Sequence, residues 1–248
     1  MKEEVNLVYI YDGSLEGFLC CVYSSYAYKQ MPSRIATTRG QSQLFEDTEW
    51  IKTDFSHAGK VYDSIGLKVG PEAQDYVREA FLTCMPDKEM LIFRFIRMAY
   101  RHGRKILGCL TDEPMCTINK GILHLKREAH LLMGLIRFHV YDKVMVACIT
   151  PKNQVLPLIA NHFADRYPGE VFMIYDKTHH MALVHNHEGC VLTAMEAFDL
   201  PPVDDSEKVY QLLWQRFHET IAIEERRNPG CQMNMMPKRY WKNLTEFQ

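Results

Sequence analysis

Val144 to Ile149 is an almost wholly apolar run with three β-branched residues, set off by the polar pair Asp142-Lys143 in front and Thr150-Pro151 behind. Such a run fits a strand buried on both faces. Ahead of it, Leu135, Ile136, Phe138 and Val140 read as a partner strand, and Asp142-Lys143 as the turn of a hairpin. Ile118, Ile122, Leu125, Ala129 and Leu132 recur at helical spacing up to Gly134, which is expected to break that helix. Behind the strand, Pro151 to Pro157 leads into Leu158, Ile159, His162 and Phe163, an amphipathic helix that Tyr167-Pro168-Gly169 should stop. Val171 to Tyr175 and Ala182 to His185 form a second strand pair joined by Asp176 to His180, with His187 to Gly189 as the next turn. Residues 118–187 are therefore expected to hold two helices and four strands in one sheet, with Val144 to Ile149 central.

The flanks are read the same way. Val5 to Tyr11 is a short strand, and Asp12-Gly13-Ser14 offers two possible N-caps for a helix whose apolar face is Leu15, Phe18, Leu19, Val22, Tyr23 and Tyr26. Residues 31–42 read as a loop, 49–54 as a strand, and Ser56 as the cap of a helix through Val61 and Ile65. Pro71 suits the first turn of a helix reaching about Cys84, and Lys88 to Tyr100 forms another, stopped by Gly103. Residues 191–199 carry no clear pattern, and Pro201-Pro202 is a connector. Asp204 to Ser206 caps a long helix whose face is Val209, Leu212, Leu213, Phe217 and Ile221, ended by Asn228-Pro229-Gly230. The tail from Cys231, with Tyr240, Trp241 and Phe247, is too apolar for a free end and should pack on the body. The fold class is α+β: a mostly helical N-terminal half (1–112), then a helix-strand-strand-helix-strand-strand sheet core with a closing C-terminal helix and tail (113–248), either as two parts or as one merged domain.

At 248 residues and 47% hydrophobic, the chain can bury a sizeable core, while its net charge of −2 leaves any basic surface to local clustering. Eight cysteines fall mostly in apolar runs with no Cys-x-x-Cys pair, which fits reduced thiols in a cytoplasmic protein. The opening apolar run stops at Asp12, too short for a signal peptide, and no run is long enough to span a bilayer.

The combination Glu128-Ala-His130, Gly134, Arg137-Phe138, Leu156-Pro157, His162-Phe163, Arg166 and Met236 to Asn243 resembles an uncharacterised bacterial family of probable DNA metabolism proteins. Tyr11 to Phe18 matches as well, so the likeness extends over essentially the whole chain. The resemblance implies a DNA-repair neighbourhood: a partner radical-SAM helix-hairpin-helix protein, and a similar domain ahead of uracil-DNA-glycosylase-like domains in longer proteins. It implies no catalytic residues.

Three clusters stand out as site candidates. Between Arg94 and Arg137 there are nine basic residues against three acidic, and Arg94, Arg97 and Arg101 share one helix face that Arg104 and Lys105 extend. Such a row tracks a phosphate backbone, or else is a solvated face complementing the helix C-terminal dipole. Lys238, Arg239, Tyr240, Trp241 and Lys242 alternate cation and ring, with Arg226-Arg227 nearby. Here the cations would meet phosphates and a ring would stack on an unpaired base, or else Trp241 and Phe247 anchor the tail. His179, His180, His185 and His187 surround one hairpin but complete no metal-ligand spacing and read as polar surface, so no metal is expected. His130, with Arg137, is an anion or proton-transfer candidate, against the alternative of a hydrogen-bonded structural histidine.

No Gly-x-Gly, phosphate loop, serine elbow, His-Pro-Ser segment or Cys-x-x-x-Cys-x-x-Cys cluster is present, which excludes the corresponding nucleotide-binding and catalytic classes and implies no cofactor. The expected function is an accessory protein of DNA metabolism that binds nucleic acid or presents it to a partner enzyme. The alternatives are an enzyme with its site at His130 and Arg137, and an adaptor that binds protein alone.

Overall fold

The computed structural model describes residues 7–37, 47–108, 112–198 and 204–247, and the chain divides into two compact units, Met1–Leu123 and His124–Gln248. In the first, β1 (Leu7–Tyr11) runs through Asp12-Gly13-Ser14 into α1 (Leu15–Ala27). The strands β2 (Arg34–Thr37) and β3 (Asp47–Trp50) both lie parallel to β1, in the order β2-β1-β3. As the middle strand, β1 buries Val8, Tyr9 and Tyr11.

Polar side chains set the β1–α1 joint. Of the two possible caps, Ser14 is the one used: its Oγ accepts from Gly17 N at 2.9 Å. The Asp12 carboxylate accepts from Ser14 N at 2.9 Å, Ser14 Oγ at 2.6 Å and Thr53 Oγ1 at 2.7 Å. A Cβ on residue 17 would stand 2.3 Å from Asp12 Oδ1, so glycine there lets the carboxylate lie against the helix. Ser14→Ala should cost ~1 kcal/mol, read as a lower denaturation midpoint. An unchanged midpoint would show that Asp12 alone holds the helix start.

The loop expected over 31–42 contains β2, a strand too short to show alternation and with only Ile35 buried; residues 38–42 lie outside the described residues. The strand expected at 49–54 lies at 47–50 instead. α2 (Phe55–Lys68) is capped by Asp54 rather than Ser56: Asp54 Oδ1 accepts from Ser56 N and His57 N at 2.8 and 3.1 Å. α3 (Pro71–Phe81) ends short of Cys84, and α4 (Lys88–His102) is followed by a 3-10 turn, Gly103–Gly108. α4 buries Ile92, Phe93, Phe95, Ile96 and Ala99 in the unit's core, which sets its arginines on the opposite side.

The next helix, α5 (Glu113–Leu135), passes through Gly134 without breaking, and Ile136 N still bonds to Leu132 O at 3.0 Å. A lone glycine costs a helix only about 1 kcal/mol against alanine, less than the packing of Leu125, Ala129 and Leu132 supplies. Leu135, Ile136 and Phe138 are accordingly not in a strand, and β4 covers only His139–Tyr141. β5 (Val144–Ile149), α6 (Leu156–Arg166), β6 (Val171–Asp176), β7 (Met181–Asn186) and β8 (Gly189–Ala194) follow. The sheet order is β4-β5-β6-β7-β8, with β5 and β6 parallel across α6 and every other pair antiparallel. The two helices and four strands expected over 118–187 are all present, and β5 is an interior strand. Asp142 and Lys143 take φ of 44° and 74°, as a two-residue hairpin turn requires. β8, unassigned from sequence, is an edge strand with Val191 to Ala194 exposed.

α7 (Asp205–Ile221) has the expected cap, Asp204, but ends at Ile221, and Asn228 caps a separate helix, α8 (Pro229–Met235). Pro201-Pro202 lies outside the described residues. The tail packs back as expected, burying Tyr240, Leu244 and Thr245.

The orientation of α7 reverses the expectation. Val209, Leu212, Leu213, Phe217 and Ile221, read as its core face, are 50 to 57% exposed. Its inward face is polar and bonded. Glu207 reaches His139 Nδ1 at 3.2 Å and accepts from Val140 N at 3.4 Å, and Gln211 Nε2 lies 3.0 Å from His139 Nδ1. Gln215 Nε2 donates to Thr245 O at 2.9 Å. Among the described residues, no helix is long and apolar enough to cross a membrane.

Candidate nucleic-acid interface

On α4, Arg94 and Arg101 are exposed and Arg97 is half-buried between them. Among the described residues, no carboxylate pairs with any of the three. The Arg97 guanidinium lies over the Tyr26 ring, 5.5 Å from its centroid, and Tyr26 meets Tyr100 at 5.6 Å, with Lys68 Nζ over Tyr100 at 4.7 Å. Burial raises the Tyr26 hydroxyl's pKa above its ordinary value, and the Arg97 and Arg101 charges offset only part of that rise. Tyr26 remains 44% exposed and Tyr28 67%. The result is a cationic row edged by the accessible ring of Tyr26. Arg104 and Lys105 are exposed in the following turn, where Arg104 pairs with Glu72.

The tail cluster is built differently. Tyr240, expected to stack on a base, is 2% exposed, and its hydroxyl donates to Glu128 Oε1 at 2.6 Å. Arg239 donates to the same oxygen at 2.7 Å and also to the Tyr240 hydroxyl. Glu128, itself 4% exposed, further accepts from Lys152 N and Asn153 N, both at 2.9 Å, and from Asn153 Nδ2 at 2.6 Å. Burial alone would raise its pKa, but these donors outweigh it and hold Glu128 below the ordinary carboxylate value. Five donors on one buried carboxylate tie α5, the loop after β5 and the tail together.

Trp241 is occupied as well, donating Nε1–H to Met236 O at 2.8 Å and stacking on Phe247 at 4.4 Å. Tyr240 is therefore an anchor of the tail with its ring buried away from any base, and Arg239 and Trp241 each hold the tail through the contacts named. Lys238 is exposed, with its Nζ 5.8 Å from the Trp241 ring centroid. Tyr240→Phe removes one donor from Glu128 and should cost about 2 kcal/mol in denaturant unfolding. A loss under ~0.5 kcal/mol would show that this hydroxyl contributes no net stability.

Arg137 is likewise taken. It donates to Glu246 Oε1 at 2.8 Å, to Glu246 Oε2 at 3.3 Å and to Gly134 O at 3.1 Å, and lies 5.5 Å from the Trp214 ring centroid. His130 sits exposed on α5 in an open depression with Lys126, Arg127 and Leu131, not in an enclosed pocket. The anion or proton site expected from these two residues is not assembled, since Arg137's donors face Glu246.

In the histidine hairpin, His179 Nδ1 meets Asp176 at 2.6 Å, His185 Nδ1 lies 2.9 Å from Glu170 O, and His187 is exposed. Among the described residues, no group of three or more His, Cys, Asp or Glu side chains is placed to hold a metal ion.

The features the sequence reading missed are Tyr26 and the Glu128 carboxylate. Tyr26 closed an apolar helix face in the pattern, and Glu128 lies over a hundred residues from two of its partners. The molecule is thus an α+β protein in which, among the described residues, Arg94, Arg97 and Arg101 meet no carboxylate and Glu128 forms a buried hub. Residues 86–246 match the family model DUF4130, described as a domain of unknown function, and the chain belongs to that family. The matched segment includes the α4 arginines and every member of the Glu128 hub. No curated protein matches the chain.

Proposed function

We propose that the protein is an accessory factor of DNA metabolism that holds nucleic acid on the α4 face and presents it to a partner enzyme. The radical-SAM helix-hairpin-helix protein implied by the resemblance stated above is the partner proposed. The observation that carries the reading is the row Arg94, Arg97 and Arg101, unpaired with carboxylates among the described residues, beside the accessible ring of Tyr26. Unpaired guanidiniums meet phosphates at the cost of no internal ion pair, and a neighbouring ring offers an unpaired base a stacking surface.

Titrating the full chain with single-stranded and duplex DNA at two salt concentrations tests this. Binding should weaken steeply as salt rises. Tyr26→Leu should weaken single-stranded binding by ~1 to 3 kcal/mol and leave duplex binding nearly unchanged. Absence of binding to either form at low salt would refute the proposal.

A further inference from the structure

The last residue of α2 joins the rings beside the α4 row. Val61 and Ile65 are buried on α2, and Lys68 follows them on the same helix face, seven and three residues on. Its long stem carries the ammonium to Tyr100, where Nζ stands 4.7 Å from the ring centroid. Tyr100 lies three residues after Arg97 on α4. Its hydroxyl is tied back to α2, meeting Ser64 Oγ and donating to Val61 O at 3.4 Å. The ring is thus fixed between the two helices.

Two cations from two helices therefore meet one pair of rings. Arg97 lies over Tyr26, Tyr26 meets Tyr100 at 5.6 Å with the planes 59° apart, and Lys68 stands over Tyr100. Lys68 is exposed and, among the described residues, pairs with no carboxylate. A polyanion that neutralises both Arg97 and Lys68 passes over the rings between them. A duplex brings only sugar and phosphate to that position, because its bases are stacked on one another. A single strand turns an unpaired base onto an exposed ring while its phosphates reach the flanking cations.

We infer that the nucleic acid held on this unit is a single strand that leaves the α4 row at Arg97, crosses Tyr26 and Tyr100, and places a further phosphate on Lys68. The inference rests on the α4 reading proposed above and adds to it a path, a strand form and a fourth cation. A lysine in the last turn of a helix also complements the helix dipole, a role that needs no ligand. Salt separates the two roles. A dipole partner affects stability alone, whereas a phosphate contact sets how many counterions are released on binding.

The salt dependence of affinity, measured on the full chain with a single strand and with a duplex of the same sequence, tests the inference. Lys68→Ala and Lys68→Gln, the second keeping most of the stem over Tyr100, should each lower the single-strand slope of log affinity against log salt by about 0.7. The duplex slope should not change. Lys68→Arg should restore the wild-type slope, because the charge returns. Lys60→Ala, an exposed change about 12 Å back along α2, should alter neither slope. A single-strand slope unchanged in folded Lys68→Ala and Lys68→Gln proteins, while alanine at the α4 arginines still lowers it, would overturn the inference and leave the α4 reading standing. Equal losses on both forms would also overturn it, by placing Lys68 on a duplex. Absence of salt-dependent binding by the wild type would remove both.

Discussion

Glu128→Ala should destabilise the C-terminal unit by about 3–4 kcal/mol, among the largest effects of any single substitution in the chain. Removing the carboxylate takes a hydrogen-bond acceptor from the Tyr240 hydroxyl, the Asn153 side chain and two backbone N–H groups, and takes from Arg239 its carboxylate partner. Arg239 keeps about a third of its side-chain surface in water, so its share of the loss is smaller than that of a fully buried partner. The tail should loosen before the sheet does, since the hub is what joins Arg239 and Tyr240 to α5. Limited trypsin digestion should therefore cut the variant at Lys238, Arg239 and Lys242 faster than the wild type.

The same carboxylate sets a pH dependence. Its folded pKa lies below the unfolded value, so its contribution is fully present above the ordinary glutamate pKa of about 4.3 and is lost as pH falls through the folded value. Glu246 behaves alike: burial raises its pKa, but the Arg137 and Trp214 hydrogen bonds outweigh that and depress it. The gap in midpoint between wild type and Glu128→Gln should be constant near neutrality and shrink below pH ~4. A Glu128→Ala protein within ~0.5 kcal/mol of wild type would mean the hub adds nothing to stability.

The second large effect is on binding. Replacing Arg94, Arg97 and Arg101 together with alanine removes three phosphate contacts on the proposed reading and should lower DNA affinity by about a hundredfold at low salt. Stability should change little. Arg94 and Arg101 are exposed, and the contacts of Arg97 with the Tyr26 and Phe93 rings are lost, at ~0.5 to 1 kcal/mol each.

What was legible in the sequence follows from range. The two hairpins of the C-terminal sheet were readable because Asp142-Lys143 and Asp176 to His180 are local punctuation between apolar runs. The four-residue β2 was not, since a parallel strand of that length draws its order from the neighbouring β1. For α7, periodicity identified the residues that share a face, but which face points inward depends on Glu207 meeting His139, 68 positions away. The alternation in Lys238 to Trp241 is the same for a nucleic-acid surface and for an anchored tail. Only the position of Glu128, 112 residues from Tyr240, separates the two. The α4 row was readable because i, i+3, i+7 spacing on a helix is local, whereas the accessible Tyr26 beside it comes from another helix.

The most direct measurement of the central claim is the dependence of DNA affinity on salt in wild type and in the Arg94→Ala, Arg97→Ala, Arg101→Ala protein, both shown to be folded. Three fewer phosphate contacts should reduce the slope of log affinity against log salt by about 2.7 on duplex DNA, or about 2.1 on a single strand. Equal slopes in two folded proteins would contradict an α4 nucleic-acid face.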